Sequence, residues 1–200
     1  MPAPKIIDYY FAPMSGYAYL GHARLLEIAA GAGALVRYHP LNMLKVFAAA
    51  GSFPPAKYPQ VRQTHRKADM ARWAEELGVP INTTPAFWPV PMELACSVIV
   101  AAGALGIDQG KVTGAILSAV WEKDLNIALE SDLRKGLIGV GLDAESVLDK
   151  SETPQIKNIS QKETEDAISL GIFGSPTYVV DQNWFFGQDR LDFLHSDLSK

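Results

Sequence analysis

Cysteine is almost absent from this 200-residue chain, which has only Cys96. One thiol excludes an internal disulfide and any CxxC redox centre. Cys96 lies in Leu94-Ala95-Cys96-Ser97-Val98, which reads as a buried helix, where cysteine acts as a small apolar residue. Histidine is scarce as well, with four residues. His22, His39 and His195 do not cluster with carboxylates at ligand spacing, so no metal site is expected. No basic block occurs: 18 Lys and Arg face 22 Asp and Glu, for a formal net charge of -4. A nucleic-acid partner therefore has little electrostatic support. No apolar run is long enough to span a bilayer, so no membrane role is expected. Met1–Pro4 leads straight into a strand-like run, without a basic segment, an apolar segment and a small-residue cleavage site. The expectation is a cytoplasmic protein. What the chain does have is 48% hydrophobic residues, enough for one or two compact domains with a real core.

The pattern along the chain is split. Lys5–Phe11 (KIIDYYF) reads as a buried strand. A helix begins near Ser15-Gly16, with Ala18, Gly21, Leu25, Ile28 and Ala29 on one face, and stops at Gly31-Ala32-Gly33. Leu35–Leu41 (LVRYHPL) is a second strand, parallel to the first through a right-handed crossover. A loop follows, marked by Gly51-Ser52-Phe53-Pro54-Pro55 and Tyr58-Pro59. Helical patterns then dominate. Met70, Trp73, Ala74 and Leu77 form one stripe, and Asn82–Pro91 is a proline-rich aromatic loop. Pro91 fits the first turn of the next helix, and Asp108 fits an N-cap. Further helices are expected from Ser131, after Asp143, and from Thr153-Pro154 to about Leu170. Thr177–Val180 is a strand, Asp181-Gln182-Asn183 a tight turn, Trp184–Phe186 the returning strand and Asp189–Leu198 a closing helix. The order β-α-β, helices, β-β-α predicts an α/β domain of residues 1–45 and 171–200, interrupted by a helical domain of residues 46–170.

Three places can carry chemistry. The first is Pro13-Met14-Ser15-Gly16-Tyr17-Ala18, where a strand passes into a helix. Backbone N–H groups and the positive dipole end converge there. Ser15 fits two roles: a helix cap, or a hydroxyl donor to an anion such as a bound thiolate, whose pKa the site would lower. It has no base nearby in sequence, so it suits a donor better than a nucleophile. The second is Gly174-Ser175-Pro176-Thr177. Pro176 is an ordinary loop proline or a cis-proline, and the cis form would expose the Ser175 backbone to an extended peptide. The third is Phe186-Gly187-Gln188-Asp189-Arg190. Gly187 allows close backbone approach. Asp189 is either a helix cap or an acceptor for an α-amino group, with Gln188 and nearby N–H groups for the carboxylate.

The order and spacing of these sites match the thioredoxin scaffold. With DYYFAPMSGYAYLG, GSFPP, KADMARWAEELGVPI, AVWEKDLNI, GIFGSPTYVV and FFGQDRL, the chain resembles the 2-hydroxychromene-2-carboxylate isomerases and the related kappa-class glutathione transferases over nearly its whole length. The resemblance implies a thioredoxin-like fold with a large all-helical insertion, glutathione as cofactor and a homodimer. It implies that Ser15, in the turn that replaces CxxC, hydrogen-bonds the glutathione sulfur. Ser175, before the cis-proline Pro176, would pair its backbone with the cysteinyl part. Gln188 and Asp189 would hold the γ-glutamyl end, with Phe186 and Gly187 also in the glutathione site. The implied reaction is cis–trans isomerisation of an aromatic catabolite. A thiol adds to an unsaturated carbon, the resulting single bond rotates, and the thiol leaves.

A cation would suit the carboxylate of that substrate, and Lys45 and Lys57 are the candidates. Phe53, Phe87 and Trp88 are candidates for an apolar wall, or for ordinary packing. The chain also departs from the family pattern. Gly16 stands where proline usually follows the serine, Ser52 where asparagine is usual, and Val61 where lysine is usual. Arg62 is adjacent to that last position, and His65 stands near a position that often holds tyrosine. Two other readings stay open: a kappa-type transferase or peroxidase acting on another electrophile, and a redox-dead thioredoxin-fold module that binds peptides without catalysis.

Overall fold

The computed structural model describes residues 3–200. The first half is β1 (Ile6–Phe11), α1 (Gly16–Ala32) and β2 (Leu35–Pro40). The insertion holds α2 (Met43–Ala49), a 3-10 turn at Pro55–Lys57, α3 (Gln60–Leu77), α4 (Glu93–Ala104) and α5 (Gln109–Trp121). It continues with α6 (Glu130–Ile138), α7 (Ala144–Ser151) and α8 (Pro154–Leu170). The second half is β3 (Thr177–Val180), β4 (Asn183–Phe186), a 3-10 turn at Gln188–Arg190 and α9 (Leu191–Leu198). The sheet order is β2-β1-β3-β4, with β1 parallel to β2 and antiparallel to β3, and β3 antiparallel to β4. This is a thioredoxin-like α/β fold carrying a helical insertion.

Local chemistry accounts for most boundaries. Ser15 caps α1 by accepting the Ala18 N–H at 3.2 Å, and Gly33 ends it at φ 62°, a left-handed conformation that glycine adopts without cost. Asp108 and Asp143 cap α5 and α7 as expected, and Thr153 caps α8, each accepting an N–H three residues on. Some expectations shift. Pro91 lies outside α4, whose first residue is Glu93. α6 begins at Glu130, one residue before Ser131, with no side-chain cap. Asn183 belongs to β4, because it pairs with Val180 and leaves Asp181 and Gln182 as the turn. α9 begins at Leu191, since residues 188–190 form a tighter 3-10 turn, so Asp189 caps no helix. α2 straddles the expected boundary at residue 45.

One core runs through the sheet and the insertion. Tyr9 stacks between Phe11 (4.3 Å) and Tyr178 (5.3 Å), all three buried on one face of β1 and β3. Each such side chain contributes roughly 1.5–3 kcal/mol by leaving water. The insertion is also pinned by charge. Asp8 of β1 lies opposite Arg37 of β2 in register and accepts its Nη2 at 2.8 Å. His39, two residues further along β2, bonds Asp8 through Nε2 at 2.8 Å and Glu163 of α8 through Nδ1.

These ties set a pH window. Burial opposes charge on both Asp8 and His39, but the hydrogen bonds and opposite charges prevail. Asp8 is held down at about 2, and His39 is raised above its ordinary value. A raised histidine contributes stability that is complete below its unfolded pKa of about 6.5 and lost as pH rises through its folded value. A lowered carboxylate contributes stability that is present above about 3.9 and lost as pH falls toward its folded value. The urea midpoint of the wild type is therefore expected to fall as pH rises above about 6.5, whereas His39→Gln shows a flatter profile. Parallel profiles for the two proteins would mean that His39 carries no charge in the fold.

Candidate functional site

The β1–β3 pairing sets Tyr10 opposite Thr177, which carries the residues flanking each strand into contact beyond the sheet. There the Ala12 N–H donates to Ser175 Oγ at 2.9 Å, and Ser15 Oγ donates to the Ser175 carbonyl at 3.4 Å. The Ser175–Pro176 bond is cis. The Pro176 carbonyl accepts the Gly187 N–H at 2.9 Å, which ties the third candidate segment to the second. Residues 15, 175 and 187 thus converge. Ser15 does cap α1, but its hydroxyl proton points along a long, weak bond. That proton can turn to a better acceptor while the oxygen keeps the Ala18 N–H.

Two hollows meet at this point. The larger, about 710 Å³, is lined by Ser15, Tyr17, Met14, Met43, Phe47, Ser52, Tyr58, Arg62, His65, Arg66, Trp88, Phe173, Ser175 and Phe186, among others. No Asp or Glu lines it, although the chain as a whole is acidic. Arg62 lies over the Tyr58 ring at 4.0 Å, and Arg66 over the Trp88 ring at 4.9 Å. Trp88 donates its Nε1–H to the Met14 carbonyl at 3.1 Å, so the indole is fixed against the Ser15 turn. The smaller cleft, about 270 Å³, is lined by Tyr17, Asp69, Trp73, Ser175, Phe186, Gly187, Gln188, Asp189 and Arg190.

The smaller cleft suits a zwitterion. Asp69 and Asp189 offer carboxylates, and Arg190 lies 3.2 Å from Asp189. Gln188 is 1% exposed, and neither its amide nitrogen nor its amide oxygen has a partner within the protein. Such a group calls for an outside partner. Tyr17 stands between the hollows and donates to Asp69 at 2.8 Å. Burial and then that bond push its phenol well up, so it stays protonated and is no base at neutral pH.

Other expected residues lie elsewhere. Lys45 lines a separate hollow with Asn42, Glu93, Ser97, Lys157 and Ser160. Lys57 and Phe87 are exposed and line neither the large hollow nor the cleft, because the 3-10 turn and the 82–91 loop point them outward. Phe53 is 67% exposed and lines neither. Pro176 is buried and lines neither the large hollow nor the cleft. Trp88 and Ser52 do line the large hollow. Cys96 is buried in α4, and burial pushes its thiol far up. Arg66 and Asp69 were not foreseen. Their signal is the spacing Arg62, Arg66, Asp69 and Trp73, one face of α3 in steps of four, three and four.

A family model for the DSBA-like thioredoxin domain matches residues 6–199. The chain belongs to the DSBA-like family. Among its relatives is the 2-hydroxychromene-2-carboxylate isomerase of Sphingobium xenophagum, 31% identical over 97% of this chain and 98% of that protein. Human glutathione S-transferase kappa 1 is 23% identical over 96% of this chain and 90% of its own length. A solved 2-hydroxychromene-2-carboxylate isomerase structure superposes with a TM-score of 0.82 at 25% identity, covering 97% of this chain and 94% of that one. This DSBA-like chain carries Ser15-Gly16-Tyr17-Ala18 at its first turn and has no cysteine there.

Gly187 tests how the cleft is built. Its φ is 99°, and a Cβ there would overlap Asp189 Oδ1. Gly187→Ala is expected to cost about 1–3 kcal/mol in urea unfolding. A cost near zero would mean that this backbone relaxes freely and does not fix Asp189.

Proposed function

We propose that this protein is a glutathione-dependent isomerase of 2-hydroxychromene-2-carboxylate or a similar aromatic catabolite. The observation that carries the reading is the convergence of the Ser15 hydroxyl, the Ser175 backbone and the orphaned Gln188 amide along two joined hollows. The residues fit a γ-glutamyl tripeptide. Asp189 and Asp69 suit its ammonium, the Gln188 amide its α-carboxylate, and the Ser175 backbone its cysteinyl peptide unit. Glutathione would supply what the chain lacks, a nucleophilic thiol that adds reversibly to the unsaturated substrate.

The protein's own part is electrostatic and steric. The Ser15 hydroxyl and the first N–H groups of α1 favour a sulfur anion at that spot. Met14, Phe47, Trp88, Phe173 and Phe186 give an apolar wall that holds a planar ring close to it. Tyr17, kept protonated, screens the sulfur position from the Asp69 carboxylate. The similarity to named 2-hydroxychromene-2-carboxylate isomerases supports the substrate class, and the similarity to a kappa glutathione transferase supports the cofactor. The absence of a reactive thiol in the chain supports catalysis by a borrowed one. A cytoplasmic location suits that reading, since it provides reduced glutathione.

The test is isomerisation of 2-hydroxychromene-2-carboxylate followed by absorbance, with and without catalytic glutathione. Turnover that needs glutathione and leaves its concentration unchanged is expected. A stoichiometric glutathione conjugate would point to the transferase reading. No calorimetric heat with millimolar glutathione, in folded protein, would point to a binding module.

Two variants refine it. Ser15→Ala is expected to slow turnover about 10- to 100-fold and to reduce thiolate absorbance of the bound tripeptide, with binding less affected. Unchanged absorbance and rate would leave Ser15 as a cap only. Asp189→Asn is expected to weaken glutathione binding by roughly 1–3 kcal/mol, measured by calorimetry. An unchanged affinity would put the ammonium contact elsewhere.

A further inference from the structure

Arg66 lines the large hollow and is half-buried, whereas Arg62 and His65 of the same lining are exposed. The Arg66 guanidinium lies within 4.9 Å of the Trp88 ring centroid, 5.6 Å of Trp121 and 5.8 Å of Tyr17. Trp121 is fully buried, and Trp88 and Tyr17 are half-buried. Arg66 forms no ion pair and no hydrogen bond with any described residue. The acidic residue nearest along its own face of α3, Asp69, is engaged by Tyr17. Arg62, by contrast, is exposed and lies over the Tyr58 ring.

Aromatic faces attract the flat side of a guanidinium but accept none of its five N–H groups. In a wall this apolar, unmet donors carry a desolvation cost, and burial pulls the Arg66 pKa down accordingly. The group stays charged all the same, since arginine does not lose its proton in proteins. A planar fork of donors, paid for in desolvation and aimed at a hollow that also holds Ser15, matches a carboxylate in two-pronged contact. The apolar part of the remaining lining, with Met14, Met43, Phe47, Phe173 and Phe186, matches a flat unsaturated body attached to it.

We propose that Arg66 anchors the carboxylate of a planar unsaturated acid and thereby makes the enzyme selective for acids over neutral electrophiles. This deepens the isomerase reading and rests on it for the reaction, but the anchor itself is a binding claim. It takes the role that Lys45 and Lys57 were expected to fill. The anchored carboxylate fixes one end of the substrate, so the unsaturated carbon is presented at the Ser15 end of the hollow.

Two measurements test it separately. The first is calorimetric binding of trans-cinnamate, an inert planar acid, to the wild type, Arg66→Lys and Arg66→Met, with glutathione present and absent. Binding is expected to weaken about 10- to 100-fold in Arg66→Met and to be partly restored in Arg66→Lys, with urea midpoints confirming folded protein. This readout stands even if no isomerisation is found, so failure of the reaction and failure of the anchor are distinguishable. The second compares kcat/KM for the carboxylate substrate and its methyl ester. Arg66→Met is expected to lose the preference for the acid while the ester rate changes by less than about threefold, a difference below that of one charge-assisted bond. Equal cinnamate binding in all three proteins would overturn the proposal. So would an equal loss for acid and ester together with lost thiolate absorbance, because Arg66 would then serve the sulfur.

Discussion

The site depends on the antiparallel pairing of β1 with β3. Ser15 and Ser175 are separated by 160 positions. Only the register that sets Tyr10 against Thr177 brings the turn before α1 level with the loop before β3. That register is held by side chains as well as by the ladder. Tyr9, Phe11 and Tyr178 stack on one face, and a slip of one residue would turn all of them toward the opposite side. The insertion is built on top of this pairing, with α8 tied to β1 and β2 through His39 and Asp8.

Much of this was legible from residues. The split order β-α-β, helices, β-β-α follows from where apolar period and breakers change. Capping residues fixed the starts of α1, α5, α7 and α8. The three candidate segments were readable because each sits at a strand end beside a glycine, proline or capping residue. What was not legible was the direction in which exposed loops carry their side chains. Lys57 and Phe87 lie in segments rich in proline, where spacing carries no facing information. Lys45 lies on α2, a seven-residue helix too short to show a period. Arg66 and Asp69 were hidden for another reason. α3 shows an apolar stripe toward the core, and its second, polar face reads as ordinary solvent surface until the Trp88 loop closes over it.

α3 is also what divides the charge. Along one face it offers Arg62 and Arg66 to the large hollow and Asp69 to the cleft, less than three turns in all. The two hollows therefore differ in sign while sharing Tyr17, Ser175 and Phe186. A ligand that spans both can be sorted end from end by charge alone.

The burial of Cys96 has a consequence for the conditions under which the protein can work. Cys96 is 2% exposed, and burial keeps its thiol far from ionising near neutrality. The chain therefore presents no thiolate near neutrality that could attack a peroxide or a disulfide in solution. Thiol oxidation would therefore fall on the small thiol that the protein is proposed to borrow, and not on a thiol of the chain itself.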